Sequence, residues 1–194
     1  MFKEINCCRV CHSSNIKPIL SLGELAVSDF VDNPSKINGI VAPLELVLCN
    51  KNEGGCGLLQ LKHTVSDEAM FRNYWYLSGI NQTMTEELSQ ITKSVSKIVT
   101  LDANDYVIDI GSNDGTLLRS YQAVELNTVG FEPARNLQKY GSKGTTSIIV
   151  DFFSSDAWVS VFGDKKAKVI TAIGMFYDLD DPNSFIKDVY KCLD

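Results

Sequence analysis

Beyond residue 101 the chain alternates short β-branched runs with polar turns and amphipathic stretches, the rhythm of a parallel sheet with crossover helices. Four runs, 107–110, 128–131, 147–153 and 168–173, read as strands. The first is apolar on both faces, as a strand covered by helices requires. Thr116-Leu117-Leu118 opens a helix, and Asp181-Pro182-Asn183 starts another over 184–190. Short right-handed crossovers would order the four strands 3-2-1-4. Upstream, Met84, Leu88, Ile91, Val95 and Ile98 recur at helical spacing behind a capping box at Thr83–Glu86, predicting a helix with one buried stripe. Stretches 19–23, 44–48 and 58–61 read as short strands of a loop-rich region. The pattern divides the chain into an N-terminal domain over 1–70, an aromatic connector and linker helix over 71–101, and an α/β domain over 102–194.

Charge and composition narrow the function. The formal net charge is −6 over 194 residues, with no Lys/Arg run, which argues against a nucleic-acid partner. The first six residues hold no apolar h-region, and no window reaches the length of a membrane span. A cytoplasmic chain with reduced cysteines is expected, so clustered cysteines suggest a metal rather than disulfides.

Five of the six cysteines, at 7, 8, 11, 49 and 56, fall in the first third. Cys8-Arg9-Val10-Cys11 is a C-x-x-C knuckle, and Cys49 with Cys56 supplies two more thiolates across a longer spacer that contains Gly54-Gly55. Four thiolates make the closed, structural type of Zn²⁺ site. Cys7 is the spare; it could replace Cys8 in a C-x-x-x-C arrangement or stand at the surface, and Cys192 is expected to be a bystander. Cys8–His12 also matches the c-type haem pattern C-x-x-C-H, but that reading needs export and leaves Cys49 and Cys56 without a role. His12 is expected to be exposed or to lie behind the ligands. A domain this small could hardly bury enough apolar surface without its metal.

The turn Gly111-Ser112-Asn113-Asp114-Gly115 joins the first strand to its helix. Glycines suit a backbone that bends sharply or touches a ligand, and the helix N-terminus is expected to offer free N–H groups. Asp109 ends the strand before the turn, and Glu132 ends the next strand about twenty residues on, where a carboxylate can accept both hydroxyls of a ribose. Asp151, Phe152 and Phe153 follow the third run and suit the edge and face of an adenine. The G-x-G-x-x-G of dinucleotide enzymes lacks its middle glycine here, which weakens a dehydrogenase reading. Tyr74-Trp75-Tyr76 lies in a dense aromatic stretch that either packs between domains or walls the cofactor, with a tyrosine hydroxyl toward the substrate.

These residues together resemble the nucleotide-sugar C-methyltransferases, with an N-terminal zinc-binding domain and a class I S-adenosylmethionine-binding domain. The resemblance rests on Cys8-Arg9-Val10-Cys11, Pro43-Leu44-Glu45-Leu46 before Cys49, and Cys56–Leu61. It continues through Tyr74–Ser78, Asp109–Gly115 and Gly130-Phe131-Glu132-Pro133-Ala134. It implies S-adenosylmethionine as cofactor, structural Zn²⁺, and a small nucleotide-sugar substrate methylated at a carbon beside a keto group. Tyr76 would be a catalytic candidate, with Ser78, Asn113 and Pro133 near the cofactor. The family's catalytic His-Glu-His segment is absent, and Phe176-Tyr177-Asp178 stands where a histidine often follows the fourth strand. Asp178 is then the remaining acid, and it would need burial to act as a base. Such a sheet normally has seven strands against four here. The expectation is an incomplete Rossmann-like sheet, completed by residues beyond 194 or by another chain, which binds cofactor without turning over alone. A second copy of the chain is the other partner considered. The alternative reading is a catalytically silent zinc- and nucleotide-binding module that scaffolds a partner.

Overall fold

The structure, a computed structural model, describes residues 2–27, 40–121 and 125–194. The chain forms two compact units: Met1–Met70 with Asp180–Asn183, and Phe71–Leu179 with Ser184–Asp194. No helix among the described residues is long and apolar enough to cross a membrane.

In the first unit, β1 (Phe2–Glu4) pairs antiparallel with β5 (His63–Val65). Strands β2 (Ile16–Ala26), β3 (Val41–Cys49) and β4 (Leu59–Leu61) form an antiparallel sheet in that order. The predicted strands are present, and the first two extend further than the apolar runs that signalled them. Ile5, Cys8, Ala42, Val47 and Cys49 are its buried apolar residues among those described, while Ile19, Leu20, Leu22, Leu59 and Leu61 remain exposed. So thin a core leaves cross-linking to the cysteines. Helix α1 (Asp67–Phe71) leads into the second unit.

The second unit runs α2 (Gln82–Ile98), β6 (Tyr106–Ile110), α3 (Thr116–Arg119), β7 (Asn127–Phe131), α4 (Gln138–Gly141), β8 (Ser147–Ile149), α5 (Ser155–Phe162), β9 (Ala167–Ala172) and α6 (Pro182–Cys192). Its four strands are parallel in the order β8-β7-β6-β9, the predicted 3-2-1-4. Successive side chains of β6 point to opposite faces. Ile108 and Ile110 join Val129, Phe131 and Trp158 in one core, and Val107 packs with Leu118 and Val169 in the other. Asp109 shares the Val107 face. Beyond α6 the backbone meets the sheet again, with a parallel bridge from Leu193 to Ala167 of β9.

Several expectations are revised. Helix α2 is capped by Asn81, whose Oδ1 accepts the Met84 N–H at 3.2 Å, so Thr83 lies inside the helix. Asn caps as well as Thr and comes first. The buried stripe of α2 is Leu88 and Thr92 with Val95, and Ile98 is 83% exposed. Thr92 tolerates burial because its hydroxyl bonds the Ser89 carbonyl at 3.0 Å and lies 3.1 Å from the Ser120 hydroxyl. Strand β8 stops at Ile149, leaving Asp151–Phe153 in the loop beyond it. Cys192, expected to be a bystander, is 1% exposed and belongs to the core around Trp158.

Candidate functional site

Two knuckles bring four thiols together in the first unit. The Cys8–Cys11 turn closes with the Cys8 N–H on the Ser13 carbonyl and the His12 N–H on the Cys8 carbonyl. Arg9, inside that turn, donates to Gln60 at 3.2 Å and to the Leu61 carbonyl at 2.6 Å, fixing the knuckle to β4. In the second knuckle Gly54 and Gly57 take positive φ, and the Cys56 N–H points at Cys49 Sγ at 3.3 Å. A Cβ on Gly55 would sit 2.5 Å from that sulfur, so the glycine is required where the backbone wraps it. The ligand atoms of Cys8, Cys11, Cys49 and Cys56 all lie within 4.8 Å of one another. Cys8 and Cys56 are 3.6 Å apart and Cys11 and Cys49 3.5 Å, close to the roughly 3.8 Å edge of a tetrahedron with Zn–S of ~2.3 Å.

The electrostatics favour a cation there. Burial opposes ionisation of Cys8, but hydrogen bonds from the Cys11 and Val10 backbone and from Gln60 bring it down to about 6. The Leu58 N–H favours the Cys56 thiolate, yet burial and the facing thiols push it up to about 11. Four thiolates cannot crowd together without a positive ion between them, so the donor set fits Zn²⁺.

In the second unit a row of residues crosses the sheet: Ile148, Gly130, Asp109 and Thr171 are register neighbours on β8, β7, β6 and β9. Thr171 Oγ1 donates to Asp109 Oδ1 at 2.7 Å. Gly130 carries no side chain because a Cβ would overlap Ser112 Oγ and Ile148. Ser112 Oγ is itself buried without a hydrogen-bond partner among the described residues. Burial, opposed by the Thr171 bond, pushes Asp109 up to about 7. Glu132 is likewise raised by burial, against two backbone N–H groups that favour its charge. Those donors are Asn113, on Oε2 at 2.7 Å, and Ala134, on Oε1 at 2.8 Å. Pro133 has no N–H, so the carboxylate reaches past it. Each oxygen keeps a second lone pair for a hydroxyl.

The glycine turn differs from expectation. Helix α3 has only four residues, and the turn's N–H groups are all engaged within the fold. Those of Gly111 and Ser112 go to the Phe131 carbonyl at 2.8 and 3.0 Å, and that of Gly115 to the Ser112 carbonyl at 2.9 Å. The Asp114 N–H meets Asn113 Oδ1 at 2.9 Å and the Thr116 N–H meets Asp114 Oδ1 at 3.1 Å. With Asn113 on Glu132, none of the six is left to cradle an anion. Asp109, Asp114 and Glu132 are each no more than 6% exposed around the same turn. Arg119 lies 3.8 Å from Asp114 and donates to its carbonyl at 2.6 Å. The crevice is rich in acceptors and poor in donors.

A family model described as "Methyltransferase domain" matches residues 80–194, more than half of the chain. The chain belongs to the methyltransferase domain family. A second model, "Putative zinc binding domain", matches residues 8–71 of the chain. Among curated proteins it is similar to the C-methyltransferase NovU of Streptomyces niveus, 26% identical over 137 residues, a stretch that is 70% of this chain and 32% of NovU. Among solved structures it resembles a SAM-dependent methyltransferase from Thiobacillus denitrificans in complex with S-adenosyl-L-homocysteine, with TM-score 0.42 and 16% identity over 56% of this chain and 44% of that one. It also resembles the plantazolicin methyltransferase BpumL in complex with SAH, with TM-score 0.46 and 18% identity over 60% of this chain and 46% of that one.

Tyr76, Ser78, Asp109, Gly111, Ser112, Asn113, Gly115, Glu132 and Pro133 gather at the carboxyl ends of β6 and β7. The Tyr74 hydroxyl shares this neighbourhood: it is raised first by burial, then by Tyr177, Asp178, Glu132 and Tyr76. Asp178 is exposed, so the burial it would need as a base is missing. Phe153 turns inward and packs on Phe131, their ring centroids 5.0 Å apart. Asp151 accepts from Arg72 at 2.9 Å, and that guanidinium lies 4.5 Å over the Phe152 ring, covering one of its two faces. Sequence reasoning missed Asp114, Thr171, Asn136, Arg72 and Met175; a Cβ on Gly111 would meet the Met175 side chain at 3.3 Å. Asp114 carried a signal, an acid one residue before a turn glycine, and the others carried none.

Proposed function

We propose that this chain is the zinc- and cofactor-binding part of an S-adenosylmethionine-dependent C-methyltransferase whose acceptor is a keto-deoxysugar on a nucleotide. The observation that carries the cofactor is the turn 111–116, whose N–H groups are all engaged while three acids stand buried around it. Such a crevice suits a ligand with positive charge and a ribose diol, and offers no donors there to the pyrophosphate of a dinucleotide. C-methylation is the activity in NovU's name, and the nucleotide-sugar acceptor follows from the resemblance in the sequence.

In this reading Glu132 accepts the ribose hydroxyls on the lone pairs its backbone donors leave open. Asp109 supplies counter-charge, and Ser112 Oγ gains the partner it lacks among the described residues. Tyr76 and Ser78 close the crevice from the aromatic segment, with Phe152 and Asp151 at the far side beside Arg72. Phe153 belongs to the core instead. Bound S-adenosylmethionine supplies an electrophilic methyl group. The acceptor must lose a proton from the carbon beside its keto group, and Tyr76 and the exposed Asp178 are poor bases for that step. We place the base outside residues 1–194, in a C-terminal segment or a completing chain. Cys8, Cys11, Cys49 and Cys56 hold Zn²⁺ in a closed, structural site.

Titration calorimetry on this chain tests the cofactor. S-adenosylmethionine should bind and NADH should not, and Glu132→Ala should weaken binding by roughly 1–3 kcal/mol through loss of charge-assisted hydrogen bonds. Binding of NADH alone, or unchanged affinity in the variant, would overturn this assignment. Methyl transfer by residues 1–194 alone would refute the placement of the base.

A further inference from the structure

Segment 74–79 is held by side chains rather than by a neighbouring strand. The Asn136 amide accepts the Tyr74 N–H at 3.0 Å and donates to the Tyr74 carbonyl at 2.7 Å, the two bonds an antiparallel partner would make. The Asn113 amide donates to the Tyr76 carbonyl at 3.0 Å and accepts the Ser78 N–H at 2.9 Å. Asp114 Oδ2 accepts the Gly79 N–H at 2.8 Å. A Cβ on Gly79 would lie 2.7 Å from Thr116 Oγ1, so the segment sits down on the start of α3. Asn136 lies 62 residues from Tyr74, so no local motif encodes this clasp.

Asn113 occupies the centre. Its N–H holds Glu132 Oε2 at 2.7 Å while its side chain holds Tyr76 and Ser78. Its Oδ1 also accepts the Asp114 N–H at 2.9 Å, so both lone pairs of the amide oxygen are taken by protein. We infer that Asn113 is a positioning residue that couples the ribose-binding carboxylate to the aromatic segment, so that cofactor occupancy orders Tyr74 and Tyr76 over the crevice. This rests on the cofactor reading above. The bland rival is that Asn113 is there for its backbone, since its φ is +53° and Asn tolerates that region.

Asn113→Gly separates the two. Glycine keeps the left-handed backbone and removes the amide, releasing Tyr76 and Ser78 and, within the turn, the Asp114 N–H. Hydrogen exchange by mass spectrometry, on the full chain with and without S-adenosylhomocysteine, reads the segment directly. In the wild type the ligand should slow exchange across 74–79. In Asn113→Gly the same peptide should exchange about tenfold faster, peptides of β6 and β7 should be unchanged, and the ligand should no longer protect the segment. The ligand's Kd should rise about tenfold, because only part of the population presents the closed segment. Unchanged exchange and Kd in a folded variant would overturn the coupling, as would faster exchange with full ligand protection retained. Should β6 and β7 lose protection too, Asn113→Asp, which keeps an acceptor for the Ser78 and Asp114 N–H groups and removes the donor to the Tyr76 carbonyl, takes its place with the same expected change in segment exchange and the same overturning results. A wild type that binds no S-adenosylhomocysteine would sink the cofactor reading and with it the coupling. Faster exchange in the variant would then still locate the clasp.

Discussion

Replacing Asp109 by Asn asks how much this buried carboxyl group opposes folding. The carboxyl is 4% exposed, and burial pushes it from 3.8 to about 7 despite the Thr171 bond that favours its charge. At ~1.36 kcal/mol per tenfold change in proton affinity, that is about 4 kcal/mol against the folded state once the group is ionised. An Asn amide cannot satisfy both its protons there, which costs about 1–3 kcal/mol, so the net gain expected at pH 8 is about 1–3 kcal/mol. The sign follows from proton binding. The folded chain holds this proton more tightly than the unfolded chain, so its contribution is present below pH ~4 and is lost as pH rises through about 7. Urea unfolding between pH 5.5 and 8.5, followed by fluorescence of the buried Trp158, measures the gap between the two proteins. The gap should shift in favour of Asp109→Asn as pH rises and level off above 7. A gap independent of pH, or a variant less stable than wild type at pH 8, would refute the reasoning. A cationic ligand should reverse the balance, binding the wild type more weakly at pH 6 than at pH 8.

Three further perturbations follow from the packing. Cys49→Ser should lower zinc from about one per chain by metal analysis and make the first unit unfold at lower denaturant, because metal binding there is folding free energy. Gly130→Ala should destabilise by about 1–3 kcal/mol in urea unfolding, since the new methyl overlaps Ser112 and Ile148, and should displace Ser112 from the crevice and weaken S-adenosylmethionine binding. Cys192→Ser buries a hydroxyl among Ile108, Trp158 and Ala167 and should cost about 1–3 kcal/mol, which thermal unfolding would register.

Residue type and local period determined more of this protein than its modest length suggests. The order of β8, β7, β6 and β9 was legible because short right-handed crossovers allow few arrangements. The four thiols were legible because ligand chemistry is written in side-chain identity, and they do meet within 4.8 Å. Asp109 and Glu132 were legible as acids at strand ends. What the tertiary structure alone decided is which polar groups remain free. Asp114, Asn113 and Glu132 take N–H groups that a bare strand-to-helix turn would have offered to an anion. Arg72 covers a ring of Phe152 from 80 residues away, and Asn136 clasps Tyr74 across 62. Cys192 is buried because it continues the stripe of Phe185 and Val189 that α6 lays on the sheet, a helical spacing its lone thiol did not advertise. A hydrogen bond or a buried contact is completed by whichever group arrives from elsewhere in the chain. Periodicity describes only neighbours within a turn or two, so it finds the donors and acceptors and cannot say which of them the fold has already paired.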